Sequence, residues 1–141
     1  MKEELDEGLA LLKDLGQPGP FTFAYPCGET WIGDPAESYI PLIEERFVAA
    51  RGVAPRAAGL APDLFDVPAF FLKTNGADLI SILDQAPTGG TWIVFGFHGI
   101  GGDWESLSMQ AHEELLQYLD VHRARFHVAP FGEIASCLKG D

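Results

Sequence analysis

Positive charge is scarce in this sequence: nine Lys and Arg stand against 21 Asp and Glu, a formal net charge of −12. Binding to nucleic acid or to an anionic membrane surface depends on Lys and Arg neutralising phosphate, so this balance argues against both partners. Cysteine is nearly absent as well. Cys27 and Cys137 lie near opposite ends of the chain and fit no CxxC or zinc-site spacing, so two unpaired thiols are expected. No apolar run approaches the ~20 residues that a membrane span needs. The opening stretch, "MKEELDEGLALLKDLG", is charged and periodic, without the apolar segment of a signal peptide. The expectation is a soluble chain that stays in the cytoplasm.

Several reactive motifs are missing too. The stretch "VFGFHGIGG" places His98 and three glycines after a run of β-formers, as an oxyanion loop would. No G-x-S-x-G nucleophile elbow accompanies it, so the α/β-hydrolase reading fails. There is no G-x-G-x-x-G and no G-K-[ST], so a phosphate-binding loop fails with it. His112 and His122 lie on one expected helix, but about 15 Å apart along its axis. No H-x-H or H-x-x-x-H pair exists, and no metal ligands are assigned in this chain.

What the chain does have is apolar content. Hydrophobic residues make up 47% of 141 residues, ten of them Phe, which suits one globular domain with a sheet-centred core. Leucines at 5, 9, 12 and 15 predict a helix over residues 3–15, and Phe21–Tyr25 reads as a strand. A second helix is expected over Ser38–Arg51, then short strands near Ala57 and within residues 66–72. A helix over 75–86 precedes the best strand, Thr91–His98. A long helix capped by Ser106 or Ser108 should reach Arg125, followed by a strand at His127–Pro130 and a helix at Phe131–Leu138. Alternating strands and helices with short connections predict βαβ units and a largely parallel sheet of four or five strands. That is too few to close a barrel, and an open sheet leaves edges that something must cover.

In α/β folds, functional groups gather where strands end. Two stretches have that address. In "HGIGGDWES", His98 is suited to proton transfer because an imidazole ordinarily titrates near about 6.5. Gly99 opens space beside it, Trp104 adds a flat apolar surface, and Asp103 and Glu105 form an acid pair. In "FAYPCGE", a rigid turn presents Tyr25, Pro26, Cys27 and Glu29. Cys27 has no activating neighbour in sequence and is not read as a nucleophile.

Together, "FAYPCGE", "WIVFGFHGIGG" and "LSMQAHEELLQYLDVHRARFHVAPFGEIA", in this order, resemble the C-terminal half of a polysaccharide deacetylase of the NodB-homology, carbohydrate esterase family 4 group. The resemblance covers nearly the whole chain. It implies a distorted (β/α) barrel that removes acetyl groups from N-acetylated sugars or acetylated xylan. It also implies a divalent metal, usually zinc, held by one Asp and two His, with a second Asp as base and a late strand-end histidine as acid. His98 matches that histidine. "AYPCG" matches the R-x-P-Y-G turn, with Ala24 in the Arg position and Cys27 in the aromatic position. Tyr25, Pro26, Gly99 and Trp104 are the expected substrate-binding residues, with Trp104 as wall of the acetyl pocket.

The T-F-D-D-G and H-S/T-x-x-H motifs, which carry the base and the metal ligands, do not occur. The resemblance therefore implies about half a barrel, inactive alone and without a metal of its own, completed by pairing with its copy as a two-fold dimer. The partner it implies is an acetylated carbohydrate. The alternative is a non-catalytic carbohydrate-binding or assembly module, with Tyr25, Trp31 and Trp104 as stacking surfaces.

Overall fold

The computed structural model describes residues 1–87, 89–102 and 104–140, so Asp103 lies outside the described residues. The fold is mixed α/β, with short parallel strand pairs and five helices. Helix α1 (Lys2–Asp14) sets Leu5 and Leu9 against a cluster of Tyr25, Tyr39, Ile43 and Phe47. Strand β1 (Phe23–Ala24) runs parallel to β4 (Ala50–Arg51), and β5 (Phe70–Phe71) runs parallel to β6 (Phe95–Gly96). A parallel bridge from Arg51 to Val67 joins the two pairs, giving the sequential spatial order β1, β4, β5, β6. Between β1 and β4 the chain forms an antiparallel hairpin, β2 (Trp31–Ile32) and β3 (Glu37–Ser38), and the short helix α2 (Ile40–Glu44).

Side-chain alternation along the last strand divides the remaining core. Ile93, Phe95 and Phe97 pack with Leu79 and Leu83 of α3 (Gly76–Gln85) and with Ala111 and Leu115 of α4 (Met109–Val121). Trp92 and Val94 point the other way, onto Phe131, Ile134 and Ala135 of α5 (Phe131–Lys139). Helices therefore cover both faces of this strand. Asn75 and Ser108 cap α3 and α4 by accepting from the amides of Asp78 and Ala111.

The mixed α/β character and the short parallel strand pairs follow the sequence reading; the chain runs from β4 to β5 without a helix between them, and no closed barrel forms among the described residues. Three local expectations change. The helix expected over Ser38–Arg51 stops at Glu44, because Ala49 and Ala50 are wholly buried and the backbone of Ala50–Arg51 pairs with β1. Its helical periodicity gives way to tertiary burial. Of the strand expected over Thr91–His98 only Phe95–Gly96 is laddered, with Trp92 bridging antiparallel to Ala58 and His98 in a bend. His127–Pro130 carries no strand pairing among the described residues. The β2–β3 hairpin was not foreseen, since its strands of two residues are too short for alternation to show.

Candidate functional site

Strands β1, β4, β5 and β6 are mutually parallel, so their C-terminal ends lie on one side of the sheet. There the chain brings together the turn after β1, Arg51, Phe71 and the loop that begins at His98.

The turn is held from below. Tyr25 is 2% exposed, and its hydroxyl donates to the Phe65 carbonyl at 2.7 Å while its ring meets those of Phe23 and Tyr39 edge-on. Burial, followed by the nearby Tyr39 and the carboxylates of Asp66, Asp63 and Glu44, pushes its phenol up to about 12. Tyr25 thus offers no open stacking face. It anchors the turn, and the exposed side chains there are Pro26, Cys27 and Glu29. Gly28 is required twice over: its φ is +76°, and a Cβ would lie 2.3 Å from Cγ2 of Val53. Cys27 and Cys137 are both free and exposed, as expected.

Next to the turn, the backbone carbonyl of Arg51 accepts from the Tyr25 amide at 3.1 Å. Its guanidinium lies 4.6 Å from the ring centre of Phe71, half-buried, and burial pulls its pKa below the usual arginine value. Phe71 in turn lies 5.6 Å from the His98 ring, and Trp104 meets His98 edge-on at 5.5 Å. Phe71 occupies this place because β6 carries a glycine. A Cβ on Gly96 would fall 2.2 Å from Cζ of Phe71, so only glycine lets that ring cross the strand.

His98 is exposed, and Trp104 is 74% exposed. The loop between them is anchored rather than loose. Leu107 donates to the Gly99 carbonyl at 3.0 Å, and Gly101 donates to the Leu107 carbonyl at 2.8 Å. Ser106 donates to the Gly102 carbonyl. Lys73 stands 4.0 Å from the Glu105 carboxylate. A Cβ on Gly99 would meet only Ser106, at an ordinary 3.7 Å. Among the described residues the fold therefore places no steric demand on Gly99.

Of the expected site residues, His98, Gly99 and Trp104 come together, and Tyr25 with Pro26 forms the turn after β1. Sequence reading missed Arg51, Phe71 and Gly96. The only signal for Arg51 was its position at the end of a short apolar run, and that run had been read as helix. Trp31 is 58% exposed on the β2–β3 hairpin and has no ring contact with this group among the described residues.

The resemblance implies a divalent metal for a complete domain. Among the described residues, no three His, Cys, Asp or Glu side chains converge on a point that could hold an ion. The neighbours of His98 are aromatic rings rather than ligand atoms. These residues do not fit the metal, and no step is derived through one. What they can supply is a proton donor and acceptor on an exposed surface flanked by aromatic rings. No helix among the described residues is long and apolar enough to cross a membrane. Comparisons with protein-family models, with curated proteins and with solved structures found no match to this chain.

Proposed function

We propose that the exposed surface around His98 is the proton-donor side of a carbohydrate deacetylase site, present without the base and metal ligands and therefore inactive alone. One observation carries the reading: an exposed imidazole at the end of β6 stands between Phe71 and a largely exposed Trp104. An acetylated sugar laid along this surface puts its methyl group against the indole of Trp104. Its amide nitrogen or ester oxygen then lies toward His98. On breakdown of a tetrahedral adduct, the imidazolium of His98 gives its proton to that departing atom, and the acetyl C–N or C–O bond breaks. The chain as given holds no partner set to activate the attacking water, so it binds the sugar without cleaving it.

Tryptophan fluorescence titrated with N-acetylated chito-oligosaccharide is expected to change and saturate, and Trp104→Ala is expected to abolish the change. Acetate release by the chain alone is expected to be nil. Metal-dependent release that EDTA stops would overturn the claim of inactivity, and a flat titration would overturn the sugar reading. The second reading, a non-catalytic carbohydrate-binding module, draws support from the exposed Trp31 and Trp104. A supplied polypeptide bearing the D-D-G and H-S/T-x-x-H motifs separates the two. Acetate release that depends on His98 marks the deacetylase, and binding unchanged by that addition marks the module.

A further inference from the structure

Strand β6 is an edge. Among the described residues it pairs with β5 on one side only, and the Phe70 amide donates to the Val94 carbonyl at 2.8 Å. In a parallel ladder, alternate residues direct their peptide groups to opposite sides. Val94 and Gly96 therefore face β5, while Ile93, Phe95 and Phe97 turn theirs away. On that far side lies a groove of about 830 Å³, enclosed by α4, α5 and the segment leading into α5. No backbone bond joins residues 127–129 to β6 among the described residues. An unpaired edge flanked by apolar walls is a template for another strand.

We propose that this groove is the surface on which a second copy of the chain docks, β6 edge to β6 edge across a two-fold axis. Three observations select that occupant. The groove lining includes Val128, Leu116 and Leu138, which are 65%, 50% and 45% exposed, so its partner must be apolar. No Asp or Glu lines it, although the chain holds 21, so two chains each carrying −12 meet here without opposing carboxylates. The chain exposes 9003 Å², about a quarter more than the roughly 7,100 Å² expected of a folded monomer of its mass. That excess more than covers the ~800 Å² that each partner contributes to a standard interface. A two-fold pairing uses the same patch on both copies, so one groove suffices. Neither His98 nor Trp104 takes part, so this inference stands apart from the carbohydrate reading.

Sedimentation equilibrium of the full chain at micromolar concentration is expected to give twice its 15.3 kDa. Leu116→Asp and Val128→Asp are each expected to weaken association by at least about tenfold. Their circular dichroism should be unchanged, because both side chains already face water. Leu11→Asp, on the 60% exposed side chain of α1, should leave the dimer intact. In the unaltered protein, hydrogen exchange at the amides of Ile93, Phe95 and Phe97 should slow as protein concentration rises. A monomer throughout that range, a dimer indifferent to both groove variants, or exchange independent of concentration would overturn the proposal. So would a groove filled only when a different polypeptide is added.

Discussion

Gly96, in β6, and Gly99, in the loop that follows, stand three positions apart yet have different physical duties. Gly96 makes room for Phe71, and Gly99 makes room for nothing within the fold. Gly96→Ala is expected to destabilise the protein by about 1–3 kcal/mol, because the Phe71 ring must move. Since Phe71 borders His98, glycan-induced fluorescence should weaken too. Gly99→Ala should leave the denaturation midpoint nearly unchanged, within about 0.5 kcal/mol, while still reducing glycan affinity. Urea titrations of both variants check the contrast, and equal destabilisation would contradict it.

Tyr25 is the other residue whose role depends on what lies around it. Tyr25→Phe removes the donor to the part-buried Phe65 carbonyl, for a loss of about 1 kcal/mol at neutral pH. The folded phenol titrates near about 12 against an ordinary 10.0, so the folded state holds its proton more tightly than the unfolded chain does. That part of the stability is complete below pH 10 and is lost as pH rises from 10 toward 12. Thermal melts across this interval should fall less steeply in the Phe variant than in the parent, and parallel slopes would refute the assignment.

At the scale of elements, the long helices were the legible part. α3 and α4 carry apolar residues at helical spacing and begin at Asn75 and Ser108, whose side chains accept from backbone amides three residues on. Ser108→Ala is expected to lower stability by about 1 kcal/mol, and calorimetry with Ser106→Ala as comparison would check it. Ser106 instead donates to the Gly102 carbonyl within the loop, so its loss should register in loop exchange rather than at the start of α4. The second helix was misread for an instructive reason. "IPLIEERFVAAR" is periodic enough to continue as helix, but Ala49 and Ala50 are small enough to be buried completely and Ala50–Arg51 is drawn into pairing with β1. Propensity is a weak term beside such burial. Arg51 was missed with it, since a residue expected on a helix flank was never considered at a strand end.

For the molecule as a whole, charge and surface area point in opposite directions. A net charge of −12 keeps chains apart, whereas the large exposed area and the open β6 edge favour bringing them together. Both can hold because the acids are unevenly placed: α1 alone begins with Glu3 and Glu4, and the groove lining has none. Association through the groove, as proposed, would bury apolar surface while the acidic faces remain in water.

The sequence by itself determined the mixed α/β character, the helices α3 and α4, and the apolar run that leads to His98. Each of these depends on neighbours within a few positions, through periodicity, capping or backbone freedom. Tertiary structure alone decided that Tyr25 anchors its turn instead of displaying a ring, and that Gly96 rather than Gly99 is sterically required. It also decided that Arg51, Phe71, His98 and Trp104 share one end of the sheet. These outcomes turn on contacts between segments 20 to 40 residues apart (Tyr25 with Phe65, Arg51 with Phe71, Phe71 with Gly96). Local pattern cannot encode which distant side chain will fill a given space, because that is settled only when the strands pack side by side.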